Sequence, residues 1–419
     1  MSVLPERTIR TAPSAAEVPD LGEGRGPLWL DAFLAVRMPE ILTWRRHLHA
    51  HPEISNSEFA TTAYLRRQLG RSGVDSRILP TGTGLVCDVG PSGPGVRTVA
   101  LRADIDALPL PEASGLPFAS TVPGVSHACG HDVHQTVLLG AMLALQSAPE
   151  LPGRVRGIFQ PAEETQPGGA YGVAASGAVA DVERIFALHC DPRLPVGEVG
   201  IRLGAITSTI DLIELRLTGS GGHTARPHLT ADLIYALGTV ITGLPGMLSR
   251  RMDPRSAPIL VWGAVRAGEA PNAIPRSGLL RGTLRIMQRE SWDIAEALIR
   301  DLVTELLAPL RVDHQLTYLR GVPPVVNEER SVELLSGGIR DAVGVAGLAD
   351  TYQSTGAEDF AVYLDHVPGA LARLGVWDGV RQQVDLHSPH FEADERAIAV
   401  GIRTMVNAAL RTLAGPAPG

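Results

Sequence analysis

Within nine positions, Ser126-His-Ala-Cys-Gly-His-Asp-Val-His134 gathers a thiol, three imidazoles and a carboxylate. A thiolate together with imidazoles suits a borderline-soft divalent ion such as zinc, and harder manganese becomes possible once carboxylates join the set. Cys129 and His131 are two residues apart, which points them the same way from an extended or looped backbone, and Gly130 between them relieves the turn. A competing structural reading is a loop that leads into a helix with Asp132 as its N-cap. Both can hold at once.

The second candidate is Gln160-Pro-Ala-Glu-Glu164, where Pro161 stops a strand expected over residues 155–160. Paired acids at a strand's end are the usual form of a site on an α/β sheet. Neighbouring side chains of extended backbone point apart, so one carboxylate can ligate a metal while the other meets a bound water from outside the coordination shell. An isolated Glu-Glu is more often a solvated acidic loop. That alternative weakens here because Leu188-His-Cys-Asp-Pro192 also sets a histidine at a strand end, and Leu386-His-Ser-Pro-His-Phe391 supplies another far along the chain.

Other polar residues carry weaker signals. His47 and His51 are four apart, but Pro52 ends the helix that would pair them, so a structural or substrate-lining role is preferred to ligation. Asp104 and Asp106 follow a strand over residues 98–102, and Asp106 is placed to orient a ligand histidine. Asp132 and His134 suit a cap and a core histidine as well as any site role. Glu358 and Asp359 stand as site-adjacent.

The elements that must position these residues read as an α/β fold. Apolar residues recur at helical spacing from Leu28 to Ala50, and Ser55-Asn-Ser-Glu58 has the form of a capping box opening a second helix. Short β-rich runs over 85–89, 98–102, 155–160 and 185–189 then alternate with helical segments such as 135–146, which indicates a sheet covered by helices on both faces. Residues 209–321 follow another rhythm, βαββαβ, which makes a ferredoxin-like sandwich complete in itself. The expected organisation is a disordered N-terminal extension (1–27), a catalytic domain in two parts (28–208 and 322–419), and the ferredoxin-like unit inserted between them as a lid and dimerisation domain.

Composition excludes several classes. With 419 residues, 44% of them apolar and 20% charged, the chain is globular and large enough for more than one domain. Its formal net charge of −8 argues against a nucleic-acid partner. All 37 basic residues are arginine, so Schiff-base chemistry, pyridoxal phosphate anchoring and a P-loop are ruled out. Cys87, Cys129 and Cys190 are too few for a disulfide framework, and no run approaches the ~18 apolar residues of a membrane span. The expectation is a cytoplasmic protein with no membrane partner.

Seven motifs in order give the sequence a family likeness. Arg45-Arg-His-Leu-His-Ala-His-Pro-Glu53, Arg102-Ala-Asp-Ile-Asp-Ala-Leu-Pro109, His127-Ala-Cys-Gly-His-Asp132, Gln160-Pro-Ala-Glu-Glu164, Gly221-Gly-His223, Gly356-Ala-Glu-Asp-Phe360 and Leu386-His-Ser-Pro389 resemble those of hippurate hydrolases and indole-acetyl-amino-acid amidohydrolases. These belong to the aminoacylase and carboxypeptidase superfamily of binuclear metallohydrolases. The likeness runs from about Trp44 to Glu395. It implies Cys129, His131, Glu164, His189 and His387 as ligands of two divalent metal ions, zinc or manganese, with cobalt or nickel as alternatives.

By the same resemblance Glu163 is the general base and acid, and His223, Asn272 and Arg285 face the substrate from the inserted domain. His223 would enter the partner's site of a homodimer as an oxyanion donor. The implied activity is hydrolysis of N-acyl or N-aroyl amino acids, with a dipeptidase or exopeptidase of the same superfamily, or a non-catalytic binding relative, as rivals. Small departures, Ser126 where Met is usual and Ala273 where Val is common, remove no ligand but bear on which acyl group is taken.

Overall fold

The computed structural model describes residues 26–416. Apart from Gly26 and Pro27, the expected N-terminal extension lies outside the described residues.

Helices α1 (Leu28–Ala50) and α2 (Phe59–Arg71) precede strands β1 (Ser76–Ile78), β2 (Leu85–Val89) and β3 (Thr98–Asp104). Then come α3 (His131–Gln146), β4 (Arg154–Gln160), the short α4 (Ala170–Ala175), β5 (Arg184–Pro195), β6 (Val199–Ile201) and β7 (Gly204–Ala205). After the segment described below, β14 (Val326–Asn327), α7 (Glu329–Val343), β15 (Leu348–Asp350), β16 (Gly369–Trp377) and α8 (Arg396–Ala414) return to the same body. The main sheet has eight strands in the order β1-β2-β4-β3-β5-β16-β6-β15. Its centre, β4, β3, β5 and β16, is parallel.

Period-two alternation divides this sheet between two cores. Val99, Leu101, Phe186, Leu188, Ala372 and Leu374 pack with α1, α3, α7 and α8. Ala100, Ile185, Ala187 and Leu371 face the other way, against α4 and the 3₁₀ segment Asp359–Asp365. Burial on both faces is why the central strands read as nearly unbroken apolar runs. The polar residues that interrupt them, Arg102, Gln160, His189 and Arg373, share the parity of the second face. Helix α8 is long and apolar, yet it is a core helix, with most of its residues buried.

Between the two parts runs β8 (Ile210–Thr218), β9 (Gly222–His223), α5 (Leu233–Arg251), β10 (Ile259–Ala267), β11 (Ala273–Ile274), β12 (Ser277–Arg285), α6 (Arg289–Leu307) and β13 (Asp313–Val322). The long strands form a separate antiparallel sheet ordered β10-β12-β8-β13. Leu215 and Leu217 of β8 meet Leu237 of α5 and Ile299 of α6 in a core of their own.

Two local expectations need correcting. Helix α3 begins at His131, one residue before the expected cap; Gly130 takes the capping position at φ 86°, and Asp132 lies in the first turn. Its carboxylate is buried against Arg45 Nε at 2.8 Å and His49 Nδ1 at 2.9 Å, so tertiary pairing outcompetes a cap. The 55–58 capping box does not form either. Ser55 Oγ donates instead to Asp106 Oδ2 at 2.6 Å, while Glu58 Oε1 accepts from the backbone of Asn56 and Ala162.

Candidate active site

Beyond the carboxyl end of β4 and midway along β5, where the expected strand end at His189 is overrun because the strand continues to Pro195, a cavity of about 310 Å³ opens on the face away from α3. Cys129, Glu163, Glu164, His189, Arg285, Glu358, Arg373 and His387 are among its walls. This is where ligands bind on open α/β sheets, because loops leaving the strand ends converge there.

Each segment is pinned before it delivers its side chain. Beyond Pro161 the chain turns through Ala162 in a left-handed conformation, φ 58°, held by the bond from its N–H to Glu58. The Glu164 N–H donates to Asp106 Oδ2 at 3.0 Å. His387 also has positive φ, 59°, and its N–H donates 2.8 Å to the Ala128 carbonyl, which fastens the C-terminal loop to the cysteine motif. Two non-glycine residues in this region, both at one site, mark backbone held by its surroundings for a purpose.

The donor atoms form two overlapping groups. Cys129, His131 and His189 have ligand atoms within 4.8 Å of one another, as do Cys129, Glu164 and His387, so the thiol belongs to both. The Nδ1 of His131 lies 2.9 Å from the Asp106 carbonyl, and the Nδ1 of His189 lies 2.8 Å from the Cys190 carbonyl. Donation of both Nδ1–H groups leaves each Nε2 as a lone-pair donor toward the shared centre. Neither His131 Nε2 nor Glu164 Oε1 has a hydrogen-bond partner, although both atoms are buried.

The electrostatics point the same way. Burial, then the Glu164 and Glu163 carboxylates, push the Cys129 thiol well above its ordinary value. Burial, then Glu358 and Glu164, raise Glu163 well above the usual carboxylate range. Anionic donors crowded so that each opposes the other's ionisation are what a cation would relieve. A buried nitrogen and a buried carboxylate oxygen without hydrogen bonds, within a mixed S/N/O donor set, fit one or two divalent ions.

Behind this layer stands a buried network. Arg102 reaches Asp104 at 2.7 Å, Asp359 at 2.9 Å and Glu358 at 3.0 Å. Gln160 binds the Asp359 carboxylate, and Asp104 holds His134 Nδ1 at 2.6 Å. Burial outweighs Arg102 and pushes Asp359 up to about 7. Glu358 and Asp359, site-adjacent by sequence, thus gather with Glu163. Ser55, Glu58 and Arg102 were not singled out in the sequence as site residues. For Arg102 the signal was there, a charge inside a wholly buried strand.

Among the residues read from the resemblance, Arg285 lines the cavity from the end of β12, its Nη1 donating 2.8 Å to the Thr355 carbonyl. Asp106 meets His131, Ser55 and Glu164. His223 and Asn272 do not join them. Both are exposed, side by side where β9 pairs with β11, and neither lines the cavity. His47 stacks on Tyr64 with ring centroids 4.1 Å apart and takes no part in the site.

Residues 100–411 match the model of peptidase family M20/M25/M40. A longer protein of Rhodococcus jostii (strain RHA1) is 53% identical over 367 residues, which are 88% of this chain but only 46% of that protein's length. The N-acetyl-L-cysteine deacetylase of Bacillus subtilis (strain 168) is 36% identical over 377 residues, 89% of this chain and 88% of the relative. Among solved structures, the YXEP protein of Bacillus subtilis, described as a dinuclear metal binding peptidase from the M20 family, aligns with a TM-score of 0.78. It is 31% identical, with 91% of this chain and 99% of that one covered. The match spans most of the chain, and the chain belongs to peptidase family M20/M25/M40.

Proposed function

We propose that this protein hydrolyses the amide bond of N-acyl amino acids, releasing a carboxylic acid and a free amino acid with the help of two divalent metal ions. The observation that carries the proposal is one cavity lined by members of two donor groups that share the Cys129 thiol, by a second acid, Glu163, and by an arginine from the second sheet. The deacetylase relative supports the substrate class.

Cys129, His131, Glu164, His189 and His387 would hold the ions, with Asp106 fixing the His131 ring. Bound there, such ions polarise a carbonyl and lower the pKa of water, and zinc or manganese suits a thiolate, imidazole and carboxylate set best. Glu163 takes a proton from the attacking water and returns it to the leaving amine. Arg285 grips the substrate carboxylate through a charge-assisted pair.

His223 acts as the oxyanion donor in the partner subunit of a homodimer, with Asn272 beside it on the substrate side. Its exposure, and its absence from its own cavity, support this. The 209–321 unit serves as lid and dimerisation domain. β10 is an edge strand that exposes Ile259, Val261 and Val265, the kind of edge a second copy covers. Three unpaired, buried cysteines support a cytoplasmic setting.

A hydrolysis screen of N-acyl amino acids and dipeptides, with apo-protein separately reconstituted with zinc, manganese, cobalt or nickel, tests the proposal. Turnover of N-acyl amino acids above dipeptides is expected. Preference for dipeptides would move the protein to the peptidase reading, and no turnover with any ion would leave only a binding relative.

A further inference from the structure

Arg373 is the one charged residue of β16, and its register partner on β5 is His189. Register partners project to the same face of a sheet, so the guanidinium leaves β16 on the side where His189 serves the donor cluster. The residue is only 7% exposed, and it lines the cavity together with Cys129, His189 and Glu358.

Among the described residues Arg373 makes no side-chain hydrogen bond and no ion pair. The acidic groups whose charge reaches it are Asp191, Glu358 and the Cys129 thiol, and the two carboxylates are engaged elsewhere. Asp191 holds Arg193 through two bonds of 2.9 and 3.0 Å. Glu358 stands 3.0 Å from Arg102. The Arg373 guanidinium, five N–H donors in a planar fork, therefore faces the cavity with no protein acceptor among the described residues. Beside a cation site it cannot serve the metal, whose charge it repels. What it can serve is an anion that comes and goes with the substrate, and a carboxylate matches the fork bidentately.

Under the proposed function, on which this inference rests, Arg285 already takes the carboxylate of the amino acid. Arg373 comes from the catalytic sheet, at the donor cluster, and answers a second anionic group. We infer that Arg373 binds a carboxylate on the acyl half of the substrate, so that the preferred substrates are N-acyl amino acids whose acyl group is the half-amide of a short dicarboxylic acid, of the malonyl or succinyl type. Water adds across the C–N bond, the new C–O bond completes the dicarboxylic acid, and the nitrogen leaves as the protonated amine. The cavity of about 310 Å³ has room for a short chain between the two carboxyls.

The test compares kcat/KM of the metal-loaded protein for the N-succinyl and N-acetyl derivatives of one amino acid, together with the N-succinyl amino-acid amide. Wild type should favour succinyl over acetyl by at least about tenfold, the worth of one charge-assisted pair. Arg373→Met should cut that ratio about 10- to 100-fold, chiefly through KM, with the amide affected as strongly as the acid, and Arg373→Lys should restore part of it. Metal content and thermal midpoint of each variant show whether it is folded. Inhibition of wild type by free succinate against acetate needs no variant, and succinate should bind at least about tenfold tighter.

Equal rates for succinyl and acetyl substrates, or equal inhibition by the two acids, would overturn the inference while leaving the proposed function intact. So would an Arg373→Met loss that follows the amino-acid carboxylate and not the acyl one. If no N-acyl amino acid is turned over at all by metal-loaded protein, the proposed function itself fails.

Discussion

Glu163 and Glu164 are neighbours in the chain but stand in different surroundings. Both carboxylates group with His131, but Glu164 also lies 3.3 Å from His387 Nε2 and groups with Cys129, whereas Glu163 also gathers with Glu358 and Asp359. Substitution should therefore separate them. Glu163→Gln should keep its metal and lose at least ~10²–10⁴-fold in turnover, because the proton carrier goes and the donor set stays. Glu164→Gln should instead lose metal. Reversed phenotypes, read by metal analysis and single-turnover rates, would invert the assignment.

Arg285 gives a second separation. Arg285→Ala should weaken use of N-acyl amino acids far more than of their amidated analogues, since a charge-assisted bond is worth about 1.5–3 kcal/mol. An equal loss on both would make its bond to the Thr355 carbonyl its whole role.

How much of this was legible beforehand depends on what kind of contact each residue makes. Strand and helix patterns over the central sheet and the 209–321 unit were readable, because two-sided burial and amphipathic alternation leave their mark locally. Cys129 and Glu164 stood out because each motif combines an unusual residue type with a loop or a strand end, and His189 because a histidine interrupts an apolar run, although it lies inside β5 and not at its end. The 55–58 capping box and the Asp132 cap misled for the opposite reason. Their local pattern was sound, but partners far along the chain, Asp106 for Ser55 and His49 with Arg45 for Asp132, offered stronger pairing. Arg373 was missed although a lone charge in the apolar run of β16 was visible; nothing local shows that its fork lacks an acceptor.

The His223 proposal is tested by mixing subunits. Homodimers of Glu163→Gln or His223→Ala should be nearly inactive, the latter by on the order of 10²–10³ as for a missing oxyanion donor. Doubly tagged heterodimers of the two should regain activity, since one of their two sites then holds both intact groups. No recovery would place His223 within its own subunit's chemistry or outside it altogether.

A pH dependence follows from His49, which bridges Asp132 and Glu112 at 2.9 and 3.0 Å. Burial alone would lower its pKa, but Asp132 and Glu112 outweigh that and raise it above 6.5. Glu112 resists its own burial and is held down to about 2 by His49, Ser114 and the Ser120 N–H. A raised histidine stabilises fully below 6.5 and loses its effect as pH climbs through the folded value. A depressed carboxylate stabilises fully above 4.5 and loses its effect as pH falls through about 2. The melting-temperature gap between wild type and His49→Gln should accordingly be widest between pH 4.5 and 6.5 and shrink above that window. A gap that widens with rising pH would contradict the pairing.

The most direct measurement of the central claim follows bound metal and amino-acid release in the same sample. Protein stripped by a chelator should release no amino acid from an N-acyl amino acid, and titration with zinc or manganese should restore release as occupancy approaches two ions per chain. Cys129, shared by both donor groups, should lose its reactivity toward alkylating reagents over the same titration. Full release by protein shown to be metal-free, or a Cys129 that is alkylated equally with and without metal, would contradict the account.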